Sequence, residues 1–147
     1  MDHVQKAERL FLEGFNCAQA VAGAFCDEMG LPEDAVMRLS SSFGGGMGRM
    51  REVCGACSGM FMVAGMLYGY NTPETGDIKA EHYAEIRKLA DAFREQNGSI
   101  ICREILGPKA QVGGLPEQRT AEYYKDRPCL WCVHSAAAIL EQYISNK

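Results

Sequence analysis

The chain has no concentration of positive charge. Fifteen Lys and Arg face nineteen Asp and Glu over 147 residues, a formal net charge of −4. Arg49 and Arg51 form the one tight basic pair, whereas phosphate backbones call for a dense Lys/Arg surface. Nucleic acid is therefore excluded as the main partner. The opening Met1-Asp2-His3-Val4-Gln5-Lys6 has neither the charged nor the apolar region of an export signal, so a cytoplasmic protein is expected. Charge is absent between Glu52 and Glu74, but four glycines interrupt the stretch (Gly55, Gly59, Gly65, Gly69). Its apolar part barely reaches the length of a membrane span, and a helix buried inside a bundle is expected there, with no membrane partner. Low-complexity tracts, internal repeats and runs of alternating strand residues are all missing.

What is there is helical spacing. The expected fold is all-α, a compact single-domain bundle over residues 1–147 around a central apolar helix. The first helix runs from Asp2 to Glu13, with Val4, Ala7, Leu10 and Phe11 inward and Gly14 as its stop. Asn16 suits an N-cap for a second, Cys17 to Met29, ended by Gly30. A short helix follows Pro32, then a flexible Ser40–Gly48 loop, then the central helix from Glu52 to Tyr68. After a turn over 71–76, the stretch Asp77 to Gln96 carries Tyr83, Ile86, Leu89, Ala90 and Phe93 on one face. Ser99 is placed to cap a short helix holding Cys102. A polar segment after Lys109 shows no clear pattern, and the last helix runs from near Pro128 to Ile144.

Seven cysteines are too few for a disulfide scaffold and odd in number. In a reducing compartment they point to metal binding or thiol redox chemistry. Cys17, Cys54, Cys102 and Cys129 each fall in the expected first turn of a helix, Cys129 beside a Pro128 expected at the first helical position. Free N–H groups and the positive dipole end there favour the thiolate, which is both the nucleophile of disulfide exchange and a ligand for soft metals. Cys26 lies half a turn round the second helix from Cys17 and is expected to point elsewhere. Cys54/Cys57 and Cys129/Cys132 have C-x-x-C spacing. No βαβ pattern surrounds Cys54-Gly55-Ala56-Cys57, which excludes a thioredoxin fold. Cys129 to His134 lacks the His directly after the second Cys that covalent haem requires.

These residues resemble a family named for its C-GCAxxG-C-C cysteine pattern and described as redox-active. The resemblance rests on Asn16-Cys17-Ala18-Gln19-Ala20-Val21, on the loop from Gly44 to Arg49 leading to Cys54-Gly55-Ala56-x-Ser58-Gly59, on Cys102-Arg103 before Leu106-Gly107, and on Cys129 ahead of Ala136-Ala137. It carries the family's four named cysteines onto Cys17, Cys54, Cys102 and Cys129, and implies electron transfer through an iron–sulfur centre or dithiol/disulfide cycling. Cys57 and Cys132 are additions to the pattern and candidate further ligands. The competing expectation is a zinc-holding structural or interaction module that includes them. A redox partner of unnamed kind and a homodimer are the expected associations.

The remaining features have plainer readings. Gly44-Gly45-Gly46-Met47-Gly48 lacks the Lys-Ser/Thr end of a P-loop and is expected to let backbone pass close to the cysteines, where Arg49 and Arg51 would offset thiolate charge. Met47, Met50, Met60, Met62 and Met66 are expected as core filler. His82 should face solvent, His134 is a weak ligand candidate, and Trp131 should shield the site or sit at an interface.

Overall fold

Two capping boxes start the chain. Asp2 Oδ1 accepts from the Gln5 N–H at 2.7 Å while Gln5 Oε1 accepts from the Asp2 N–H at 3.2 Å, which opens α1, His3–Leu12. Asn16 and Gln19 repeat the arrangement at 2.9 and 3.1 Å and open α2, Cys17–Ala24. Each box satisfies two N–H groups that a helix start leaves unpaired. The computed structural model describes residues 1–74 and 76–147, so the expected turn at 71–76 lies partly outside the described residues. Seven further helices follow: α3 (Cys26–Met29), α4 (Glu33–Ser40), α5 (Gly55–Tyr68), α6 (Ile78–Asn97), α7 (Cys102–Leu106), α8 (Ala121–Asp126) and α9 (Cys129–Ser145). The fold is all-α among the described residues, the only β pairing there being an isolated bridge between Val53 and Ile101.

The core forms where α2 is packed by α1, α4, α5 and α9. Ala18, Ala20, Val21, Ala22, Gly23 and Ala24 are all buried, and such small side chains allow neighbouring backbones to come close. The closest approach is with α5. A Cβ added at Gly59 would lie 2.8 Å from the Ala18 carbonyl oxygen and 3.1 Å from Val21 Cβ. One added at Gly55 would lie 3.0 Å from Ala18 N and 3.1 Å from Cys17 Cβ. Backbone cannot give way as a flexible side chain can, so both positions require glycine. Phe11, Phe25, Phe93, Met60 and Leu140 fill the space around this seam.

Several expectations need correction. The second helix is broken at Phe25 (φ −109°, ψ 19°), so that Phe25 is fully buried and stacks on His3 at 4.4 Å. Cys26 therefore opens α3 and is not mid-helix. The central helix begins at Gly55, because residues before it are held extended by the pairing with Ile101. Pro128 is the N-cap of α9 and not its first residue. Tyr83 turns outward, its hydroxyl 3.0 Å from that of Tyr70. Of the five methionines only Met60 is fully buried. Met50 and Met66 are exposed, and Met62 and Met66 line an open apolar groove with Leu39 and Phe43. Among the described residues no helix is long and apolar enough to cross a membrane.

The two faces of α5 give opposite responses to an added side chain. Gly59→Val should lower stability in urea unfolding by about 2 kcal/mol or more through overpacking against backbone. At Gly65, where an added Cβ meets nothing within 4 Å, Gly65→Ala should raise it by about 0.5–1 kcal/mol through helix propensity.

Candidate functional site

The Val53–Ile101 bridge sets two cysteines side by side. The Cys54 N–H donates to the Ile100 carbonyl at 2.7 Å and the Cys102 N–H to the Glu52 carbonyl at 2.6 Å. Cys54 caps α5 and Cys102 is the first residue of α7. Ser99, expected as that helix's cap, sits two residues before the N-cap Ile101. It accepts from the Ile101 N–H at 2.9 Å and donates to Glu104 at 2.5 Å. Cys17 opens α2, against which α5 is seamed, and Cys129 opens α9. Four helix starts thus meet around one cavity of about 60 Å³, lined by Cys17, Cys54, Cys102, Cys129 and also Cys132, one turn further along α9. Cys57 is buried behind Cys54 and off the cavity. Cys26 is remote, among Lys6, Asp27 and Glu33.

The glycine loop closes the cavity from the other side. From Gly45 to Arg49 every residue has positive φ, from 60° to 69°, and Arg51 follows at 59°. Glycine adopts this left-handed backbone freely, but Met47, Arg49 and Arg51 do so at a cost of about 1 kcal/mol or more each. The path is needed for contact: a Cβ on Gly46 would lie 2.7 Å from Cys102 Cβ and 2.7 Å from Arg51 Cα. It also turns Arg51 inward. Arg51 is 4% exposed, and its guanidinium donates to the Gln111 carbonyl at 2.9 Å and places Nη1 3.6 Å from Cys102 Sγ. Arg49 instead donates to the Gly113 carbonyl and pairs with Glu117 at 3.8 Å.

The sulfurs form two pairs with opposite proton affinities. Cys17 faces Cys129 and donates toward its sulfur. That hydrogen bond holds Cys129 down at about 7, against its burial and with help from Arg127, Arg119 and Arg51. The same bond pushes the Cys17 thiol well above its ordinary value, as do burial and the nearby Cys129, Cys54 and Cys132 sulfurs. Cys54 is lowered by a hydrogen bond from Cys132 that outweighs its burial, and the N–H groups of Ala56 and Cys57 add to the effect. Cys132, the donor, is raised. Its single S–H faces a second acceptor, Asn97 Oδ1, at 3.6 Å. Burial raises the thiols of Cys102, Cys57 and Cys26, with Arg51 opposing at Cys102. Only Cys17 and Cys129 are partly exposed.

The polar segment before α9 supplies side chains that the sequence reading passed over. Thr120 caps α8 through the Tyr123 N–H at 3.2 Å, and Arg119 and Tyr123 then line the cysteine cavity. Arg119 donates to the carbonyls of Phe11 and Phe15 at 3.1 and 3.0 Å and lies over the Phe11 ring. Burial and the neighbouring Cys129 push the Tyr123 hydroxyl up to about 12. The Thr-Ala-Glu-Tyr cap signal was the available clue to this helix. His134, a weak ligand candidate, turns away: it pairs with Glu8 and stacks on Trp131 at 4.9 Å. Trp131 is half exposed and shields His134, not the cysteines.

Residues 15–143 match the family described as "Putative redox-active protein (C_GCAxxG_C_C)". No curated protein and no solved structure was found to match the chain. The matched stretch holds all seven cysteines and both walls of the cavity between α2 and α9, and the chain belongs to that cysteine-motif family.

Proposed function

We propose that the protein is a thiol redox protein that cycles between dithiol and disulfide, with Cys17 and Cys129 as the working pair and Cys54, Cys102 and Cys132 behind it. The observation that carries this reading is Cys129: partly exposed, next to a donating thiol, and held at about 7. Near neutral pH about half of such a sulfur is thiolate, against about 1% for a thiol at 9.0. Its thiolate attacks one sulfur of a partner's disulfide, and the other partner sulfur leaves as thiolate. Cys17, released from its role as donor, then loses its proton and attacks the Cys129 sulfur, freeing the second partner thiolate. Two electrons pass from the pair to the partner. One of its thiolates takes the Cys17 proton and the other takes one from solvent.

Five sulfurs around one cavity also support a second reading, an iron–sulfur cluster held by Cys17, Cys54, Cys102 and Cys129, which would supply one-electron transfer. The zinc-holding alternative has less support. Four thiolates at 2.3 Å from one zinc lie about 3.8 Å apart, whereas the one group of three or more possible ligands within 4.8 Å among the described residues is His3, Asp27 and Glu28.

Two measurements test the dithiol reading. Alkylation of each cysteine, followed by mass spectrometry against pH, should give Cys129 a midpoint near 7, while Cys26 and Cys57 react only above the ordinary thiol range. Removing the donor in Cys17→Ala should move the Cys129 midpoint upward. A Cys129 midpoint no lower than that of Cys26 would overturn the assignment.

Oxidation with a mild disulfide reagent should yield a Cys17–Cys129 bridge in peptide maps, with Cys26 and Cys57 still free. Stoichiometric iron and acid-labile sulfide in anaerobically purified protein, lost in Cys54→Ser, would instead establish the cluster.

A further inference from the structure

A second pocket opens onto the cysteine cavity. It holds about 330 Å³, room for several water-sized groups, and shares Asn16, Gly45, Arg51, Arg119 and Tyr123 with the inner cavity. Four arginines line it, Arg49, Arg51, Arg119 and Arg127, with Glu117 as the one carboxylate among the lining residues. These are not loose surface charges. Arg51 is 4% exposed, and the side chains of Arg127 and Arg49 are 9% and 15% exposed. Glu117 pairs with both Arg127 and Arg49. Arg51 and Arg119 are held by carbonyl oxygens of Gln111, Phe11 and Phe15, which satisfy N–H groups without cancelling charge.

Buried cations require anionic partners. Glu117 supplies one negative charge, and the Cys54 and Cys129 thiolates of the inner cavity supply at most two more, short of four guanidiniums. Gly44, Gly45 and Gly48 add backbone to the lining, and at Gly45 the Arg49 and Arg51 side chains pack where a Cβ would stand.

We propose that this arginine-lined vestibule binds a small free oxyanion of phosphate or sulfate size beside the Cys129 sulfur. The inference rests on charge and shape and does not depend on the dithiol reading.

Titration calorimetry of the reduced protein with inorganic phosphate, at ionic strength fixed with chloride, should show saturable one-to-one binding. Arg127→Gln should weaken it about tenfold or more, the loss of one charge-assisted hydrogen bond. Glu117→Gln should strengthen it, because the lone competing carboxylate is gone; a merely damaged fold would lose binding instead. A second readout uses reagent charge. The iodoacetate-to-iodoacetamide rate ratio at Cys129, divided by that of free cysteine, should exceed one, fall in Arg127→Gln and fall on adding phosphate. Thiolate content cancels in this ratio, so it separates anion recruitment from thiol activation. No saturable binding, loss of binding in both variants, or a ratio equal to that of free cysteine would overturn the proposal.

Discussion

The α2–α5 seam comes first in any causal account of this protein. Two helices whose backbones touch at Gly55 and Gly59 bring their N-terminal ends together, and those ends carry Cys17 and Cys54. A larger residue at either glycine would meet α2 backbone and strain this contact directly. The Val53–Ile101 bridge then adds Cys102 to Cys54, and α9 brings Cys129 and Cys132 against α2. The alanine-rich face of α2 gives up side-chain volume to make this possible, and the phenylalanines around the seam restore the buried area.

Concentrating sulfurs in this way creates an electrostatic problem, and the structure handles it by asymmetry. Two neighbouring thiolates repel, and burial penalises each. In both pairs the two thiols are driven in opposite directions, Cys129 and Cys54 down and Cys17 and Cys132 up, which disfavours charge on both neighbours at once. Arginines from two separate segments, the left-handed loop and the stretch before α9, stabilise the charged member from outside. The left-handed backbone at Arg49 and Arg51 goes together with the placing of both guanidiniums in the vestibule lining.

The start of α2 was legible because it is written locally: Asn16 signals where a helix begins and Gly14 and Gly30 where helices end, and Cys17, next to Asn16, is placed by that signal. The break at Phe25 was not legible, since Ala-Phe-Cys-Asp-Glu-Met has helical spacing throughout and the stacking on His3 that accompanies the kink joins residues far apart in sequence. Positive φ at Met47 and Arg49 contradicts local preference and goes with long-range contacts of the loop, Gly46 against Cys102 and the Arg49 carbonyl accepting from the Gly113 N–H. Tyr123 lies in a short helix whose periodicity is too brief to read, and Arg119 and Arg127 flank it, so their convergence near the cysteines appears only in three dimensions.

Asn97 links the Cys132 sulfur to the end of α6. Its amide donates to Ser135 Oγ at 2.9 Å and to the Phe93 carbonyl at 3.1 Å, and its Oδ1 faces the S–H of Cys132. It is also the last residue of α6, immediately before the left-handed Gly98. A Cys132 sulfur that has lost its hydrogen, to an oxidant or to a bond with another sulfur, leaves that amide oxygen facing a lone pair. That oxygen belongs to the last residue of a twenty-residue helix, so the proton on Cys132 bears on the hydrogen bonding where α6 ends.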